Sequence, residues 1–254
     1  MPTNVGHVAA LYRYPVKGFT PERLGQVDLR AGAFFPCDRL YAVEDGPSGF
    51  DPAAPVFIPK SKFTVLMRLA EVAKARTAYD EAAGVLTAHA DGRPALRANL
   101  DEAAGRDAFA AWLADLLGDA VQGPLKVVSG AGHRFTDHPE GYISIINLNS
   151  VRDLEQRTGW RIDPLRFRAN LYVEGWPAWV ENEMVGSSVQ LGTAQASVFK
   201  SITRCAATEV DPATAERDLP IPKALFEHYG HVFCGIYLSV TQAGAVTEGG
   251  AATL

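Results

Sequence analysis

Cysteine is scarce in this chain: three in 254 residues, Cys37, Cys205 and Cys234, an odd number at wide spacing. That is not a disulfide framework; it fits a reducing compartment and requires each thiol to be explained singly. A four-cysteine cluster of the ferredoxin kind is also missing, which excludes an iron–sulfur module. No apolar run approaches the ~18 residues that span a bilayer, so no membrane partner is expected. The stretch Met1 to His7 lacks the basic start and apolar centre of a secretion signal, and a cytoplasmic location follows as an expectation. Lys and Arg number 24 against 29 Asp and Glu, for a net charge of −5, with no basic block to make a nucleic-acid face. What is present is ordinary for a globular protein, with 47% hydrophobic and 21% charged residues. The length permits one large domain or two small ones.

The most informative stretch is Ser201-Ile202-Thr203-Arg204-Cys205-Ala206-Ala207-Thr208-Glu209-Val210-Asp211-Pro212. A cysteine acts as nucleophile or metal ligand only as the thiolate, and a neighbouring cation favours that form. Arg204 supplies one at zero sequence distance. Ala206 and Ala207 keep the surroundings small, Thr203 and Thr208 offer hydroxyls, and Asp211-Pro212 ends the element. A second reading stands beside this one, because free cysteine also serves as a small buried hydrophobe.

Thr203-Arg204-Cys205 followed by Thr208-Glu209-Val210-Asp211-Pro212 resembles the signature of the MOSC family. That module forms the C-terminus of molybdenum-cofactor sulfurases, and also the mitochondrial amidoxime-reducing component and its bacterial relatives. Leu11-Tyr12-Arg13-Tyr14-Pro15-Val16-Lys17-Gly18 resembles the opening of the β-barrel domain that precedes MOSC, with Gly18 where the family often has Ser. Arg166-Phe167-Arg168-Ala169-Asn170 is similar to the family's RFRPN strand, with Ala169 in place of proline. The resemblance implies a mainly β protein with a few helices (α+β): an N-terminal β-rich, barrel-like domain over 1–122 packed on a C-terminal MOSC β-barrel over 123–254.

Taken in order, His7 to Tyr14 reads as a strand turned by Pro15 to Gly18, where Lys17 is either a charge held for a phosphate or pterin oxygen or a solvated turn lysine. Leu24 to Leu29 and Leu40 to Val43 read as strands. Arg39, where the family's DR pair falls, either clamps an anion or pairs with Asp38 or Asp28. Asp45 to Pro59 is a proline- and glycine-rich loop ending in Lys60-Ser61-Lys62, a basic segment either beside a cofactor or solvated. Phe63 to Leu69 reads equally as strand or helix. Glu71 to Tyr79, Val85 to Ala90 and Arg93 to Asn99 form a meander, with Asp91-Gly92 as a hairpin signal. Phe109, Trp112, Leu113, Leu116 and Leu117 mark one face of a helix capped by Asp101 and stopped by Gly118.

Beyond Gly123-Pro124, Leu125 to Val128 and Ile143 to Asn147 read as strands. The loop Gly130 to Pro139, with His133 and His138, borders the pocket without ligating, and Ser150 caps a short helix closed by Gly159. Leu165 to Val173 reads as a buried strand that puts Arg166, Arg168 and Asn170 on one face, to be met by a phosphate and pterin or by carboxylates. Trp176 and Trp179 cover a barrel end or line a substrate mouth. Val189 to Leu191 and Ala194 to Phe199 form a hairpin leading to Cys205. A short helix opened by Asp218 to Pro222 stops at Gly230. His228, His231 and Cys234 span a helix end and a strand start without a fourth ligand, which speaks against zinc. Gly235 to Val240 is the last strand, and Ala243 to Leu254 reads as a mobile tail.

What the resemblance implies chemically is a molybdenum cofactor, with Cys205 as the metal ligand beside a dithiolene. Lys17, Arg39, Arg166, Arg168 and Asn170 would hold the anionic pterin, and Thr203 and Arg204 would fix the approach to the thiolate. The implied reaction is two-electron reduction of a small N-hydroxylated substrate by oxygen-atom transfer. Electrons would come from a separate flavin or haem protein. An alternative from the sulfurase side of the family is a sulfurtransferase module carrying persulfide on Cys205, without the pyridoxal-phosphate domain that would generate it. A non-catalytic cofactor-binding protein is a third reading.

Overall fold

The computed structural model describes residues 5–140 and 143–254. Residues 1–4, part of the stretch read as lacking a leader, lie outside it. In chain order the first half holds β1 (Val5–Arg13), β2 (Glu22–Leu24), β3 (Gln26–Leu29), β4 (Tyr41–Asp45), β5 (Arg76–Asp80), β6 (Val85–His89), β7 (Leu96–Asn99) and α1 (Ala103–Leu117). Then follow β8 (Leu125–Ser129), β9 (Ile143–Asn147), α2 (Leu148–Thr158), β10 (Leu171–Glu174), β11 (Ser188–Leu191) and β12 (Ala194–Thr203). The last elements are α3 (Ile221–Tyr229), β13 (Phe233–Gln242), β14 (Gly244–Thr247) and β15 (Ala251–Thr253). The protein is mainly β, as expected.

Seven strands close a barrel in the order β1-β10-β9-β13-β12-β11-β15, with β15 pairing back onto β1. Only the β9/β10 pair within it is parallel. Closure removes the strand edges that an open sheet would expose. Val8, Leu11, Ile143, Ile145, Leu171, Val173, Ile236 and Leu238 fill its core. Trp176 joins them completely buried, its indole N–H donating to the carbonyl of Ala252 at 2.9 Å. Of the two tryptophans it is therefore core, whereas Trp179 sits half-buried against Tyr229, donating to Asp153 at 2.8 Å. Gly6 makes the close approach possible, because a Cβ there would stand 2.5 Å from the Glu174 carbonyl and 2.7 Å from the Trp176 ring.

The first strand of the chain thus belongs to a barrel otherwise built from residues beyond 142. The exchange runs the other way too: β8 pairs antiparallel with β4, Tyr41 opposite Ser129 and Asp45 opposite Leu125. Beside that ribbon the meander β5-β6-β7 packs on α1 around Leu86, Leu100, Phe109 and Leu113. Burying a side chain such as Phe109 stabilises by about 1.5–3 kcal/mol.

Several local expectations are corrected. The tail is not mobile: β14 pairs with β3, and β15 completes the barrel between β1 and β11. Small residues there look like a linker, yet Ala252 is buried in the barrel core and its carbonyl accepts from the Trp176 indole. Leu165 to Val173 is not one strand. Pro164 starts a 3-10 turn through Phe167, fastened by the Asp163 carboxylate accepting from the Leu165 N–H, and the strand begins only at Leu171. The expected strand Leu24 to Leu29 divides at Gly25, its halves pairing with β1 and β14. Phe63 to Leu69 is neither a strand nor a helix: Phe63 makes an isolated bridge to Glu44 and residues 66–68 form a turn, while Glu71 lies in a 3-10 turn before β5. Asp101 does not cap α1 but accepts from the Tyr41 hydroxyl at 2.7 Å, and Asn147 rather than Ser150 caps α2.

Deleting residues 250–254 is expected to destabilise the protein by about 3 kcal/mol or more, because it bares the edges of β1 and β11 and orphans the Trp176 indole. An unchanged midpoint in equilibrium urea unfolding would restore the mobile-tail reading.

Candidate functional site

A cavity of about 260 Å³ lies where the ends of several strands converge, and all eight residues singled out in the sequence line it. The chain leaving β1 brings Lys17, and the chain entering β4 brings Arg39. The turn before β10 brings Arg166, Arg168 and Asn170, and the end of β12 brings Thr203, Arg204 and Cys205. The β8–β9 connection adds Thr136, Asp137 and His138, and residues 65–67 form an apolar wall. Seven Lys or Arg side chains and two Asp line this space, in a chain whose net charge is −5. The cavity is therefore the place where this acidic protein concentrates positive charge.

Cys205 is half-buried at the start of a 3-10 turn over Ala206–Glu209, its carbonyl accepting from the N–H of Thr208 at 3.0 Å and from its hydroxyl at 2.9 Å. Cys37 and Cys234 are buried, and burial pushes both thiols up to about 12, which makes them inert. The cation beside the Cys205 sulfur is not its sequence neighbour. Arg204 turns away, its Nε donating to the Cys234 carbonyl at 2.7 Å and Nη1 to the Phe167 carbonyl at 2.9 Å. Its Nη2 is buried without a partner among the described residues. Gly235, at φ +81°, leaves room for it: a Cβ there would lie 3.1 Å from that nitrogen and 2.3 Å from the Ile145 carbonyl.

Lys60 takes the place beside the thiol. Its Nζ lies 3.5 Å from Cys205 Sγ and 3.3 Å from Asp137 Oδ2. The other oxygen of Asp137 accepts from the buried Lys17 at 2.5 Å, and Lys17 also donates to the Phe135 carbonyl at 2.8 Å. One carboxylate thus serves two ammonium groups. Burial would raise the Asp137 pKa, but Lys17 and Lys60 outweigh it and hold the group well below the usual carboxylate range. For Lys17 burial wins over Asp137 and the pKa falls; for Lys60 burial is outweighed by Asp137 and Cys205, and it rises.

Arg39 and Arg168 both adopt the left-handed backbone conformation, φ 50° and 55°, at a cost of about 1 kcal/mol or more each. Arg39 is ion-paired to Asp38 and donates to the Arg168 carbonyl at 3.1 Å; Arg168 donates to the Phe19 carbonyl at 2.8 Å. Arg166 is neutralised by carboxylates, Asp211 at 2.8 Å and Asp218 at 2.7 Å. It reaches the cavity wall but its charge is spent on holding the turn to the segment after Cys205. The amide of Asn170 is also committed, accepting from Ser144 N–H and Oγ at 3.2 and 3.0 Å and donating to the Tyr12 carbonyl at 3.3 Å. Thr203 lies exposed at the cavity rim.

Asp137, Lys200 and the apolar wall were not legible in the sequence. Asp137 stood in a polar loop whose histidines drew attention instead; His138 does border the cavity, while His133 packs on Phe50 and Phe135. No group of three His, Cys, Asp or Glu placed to hold a metal exists among the described residues, and the ring of His231 stacks between Tyr229 and Phe233.

A mainly β barrel with a cationic, thiol-bearing cavity at its strand ends is the class of protein these observations define. The chain belongs to the MOSC family: residues 5–120 match the MOSC N-terminal beta barrel domain and residues 132–253 the MOSC domain, a family associated with the molybdenum cofactor. Among solved structures it is similar to the YuaD protein of Bacillus subtilis, at 16% identity over 99% of this chain and 96% of that one, with a TM-score of 0.46. YiiM of Geobacillus stearothermophilus matches at 22% identity over 44% of this chain and 53% of its own, TM-score 0.34. YiiM of Escherichia coli matches at 18% over 43% and 52%, TM-score 0.29. No curated protein matches the chain. Among the described residues no helix is long and apolar enough to cross a membrane.

Replacing Asp137 by Ala leaves the buried Lys17 ammonium unpaired, and at neutral pH the variant is expected to lose about 2 kcal/mol, less than a wholly buried pair because Asp137 opens on the cavity. Since its folded pKa is depressed, the stabilisation is present above the unfolded value near ~3.9 and disappears as pH falls through the folded one. The urea midpoints of the two proteins should therefore converge in acid; a constant gap would contradict the ion-pair origin.

Proposed function

We propose that this cavity binds the molybdenum cofactor, that Cys205 ligates the metal, and that the protein reduces N-hydroxylated compounds. The observation that carries the reading is the donor set: a half-exposed thiol in a cavity lined by seven guanidinium and ammonium groups against two carboxylates. These residues fit a group that is anionic at one end and thiophilic at the other.

In this reading Lys17, Arg39 and Arg168 hold the anionic part, Arg204 braces the segment before the thiol through the Cys234 and Phe167 carbonyls, and Thr203 lines the approach to the sulfur. Arg166 and Asn170 act one step back, fixing the turn that presents Arg168. Lys60 holds its ammonium against the Cys205 sulfur, and Asp137 keeps that ammonium and the Lys17 ammonium from repelling one another apart. The chemistry the cofactor supplies when bound is two-electron oxygen-atom transfer, taking an N-hydroxylated compound to its reduced form and water. The apolar wall at Val65, Leu66 and Met67 excludes water from one side of the cavity and offers contact to the substrate's carbon frame. Electrons arrive from a separate flavin or haem protein.

A sulfur-carrier role is a second reading, favoured by the ammonium of Lys60 lying against a half-exposed thiol, an arrangement that would also suit a persulfide. Elemental analysis with pterin fluorescence separates the two, on protein made in cells that synthesise the cofactor. Near-stoichiometric molybdenum, reduced at least tenfold in Cys205→Ser, together with turnover of a hydroxylamine or amidoxime under a chemical reductant, is the expected result. A persulfide mass increment on Cys205 without turnover would replace it with the carrier reading.

A further inference from the structure

The ring of Tyr14 is wholly buried, and two guanidinium carbons stand over it, Arg39 at 4.4 Å and Arg168 at 4.5 Å from the centroid. Two cations on one ring repel each other, so the arrangement needs a cause. Asp38 neutralises Arg39. Arg168 has no carboxylate within ion-pair distance among the described residues; a single donated hydrogen bond, to the Phe19 carbonyl, and the π face of Tyr14 are what hold it. An aromatic face carries negative potential and attracts a guanidinium most strongly where water is excluded.

The backbone is fastened around the same residue. The Tyr14 N–H donates to Asp38 Oδ1 at 2.8 Å, its carbonyl accepts from the Arg39 N–H at 2.7 Å, and its hydroxyl donates to the Ala169 carbonyl at 3.2 Å. The Arg39 guanidinium closes the circuit onto the Arg168 carbonyl at 3.1 Å. Two left-handed arginines, separated by more than a hundred residues in the chain, are thus locked to one phenol, and both line the cavity while the phenol itself does not. Burial and the neighbouring Arg39 also push the Arg168 pKa down, as expected of a cation with no counter-charge in place.

We infer that Tyr14 is a positioning residue whose ring pairs Arg39 and Arg168 into a two-guanidinium clamp, so that a single phosphate-type group entering the cavity is met by both. The inference rests on the reading that the cavity takes an anionic, phosphate-bearing cofactor. The operative part is the π face; the hydroxyl ties the ring to the Ala169 carbonyl and to the Tyr172 hydroxyl. A ring that merely filled space would be indifferent to its electron density.

The test is calorimetric titration of the full-length apo-protein with inorganic pyrophosphate at low ionic strength, where charge contacts are least screened. Tyr14→Phe should bind within about threefold of the native protein. Tyr14 replaced by pentafluorophenylalanine, close in shape to the Phe form with the ring potential reversed, should bind roughly tenfold more weakly than Tyr14→Phe, a cooperative melting transition showing that the fold is retained. In an Arg168→Gln background, where the Asp38-paired Arg39 is the guanidinium left over the ring, the gap between the fluorinated and Phe forms should shrink to about threefold or less. Equal affinity of the Phe and pentafluorophenylalanine forms with Arg168 intact would overturn the clamp while leaving the cofactor reading standing. Absence of pyrophosphate binding to the native protein would overturn the clamp together with the anionic-cofactor reading.

Discussion

One carboxylate holds the site together. Asp137 bridges an ammonium that β1 delivers, Lys17, and one delivered by the loop before residue 63, Lys60, while itself hanging from the β8–β9 connection. Two positive charges this close in a partly desolvated space would otherwise separate, and Lys60 would leave the Cys205 sulfur. Everything that makes the cavity cationic at the thiol depends on that single negative charge being present and ionised, which the two lysines in turn ensure.

The barrel explains why the parts meet at all. β1 is the opening strand of the chain, yet it is stitched between β10 and β15, so the turn that follows it, carrying Tyr14 and Lys17, arrives directly beside the turn that precedes β10, carrying Arg166 to Asn170. Pairing of β4 with β8 does the same for Arg39 and the loop that bears Asp137, and the Phe135 N–H donates to the Arg39 carbonyl at 2.9 Å. The cavity is a consequence of strands that exchange between the two halves, and its rigidity is that of a closed sheet.

The bland readings of individual residues hold at some positions and fail at others. Arg166 and Arg39 do pair with carboxylates, but Arg39 still faces the cavity, and the ion pair is what lets it stay there buried. Cys205 remains half-exposed where Cys37 and Cys234 are the small buried hydrophobes that most free cysteines are. Lys60 is the case where the solvated reading gives way, because the 3-10 turn that follows the proline-rich loop sets its ammonium against the Cys205 sulfur.

Sequence by itself determined that a β-rich protein was present, where its long helix begins to pack and stops, and which three motifs belong together, because hydrophobic period, glycine stops and short motifs are local. It also brought to notice eight of the residues that line the cavity, though not Asp137, Lys200 or the apolar wall. What tertiary structure alone decided was which cation serves which anion. Arg204 is adjacent to Cys205 in the chain but points to the Cys234 and Phe167 carbonyls, and the thiol's neighbour comes from a residue 145 positions away. Charge contacts are set by distance in space, and the closing of the barrel, completed by a small-residue tail with no period of its own, sets those distances.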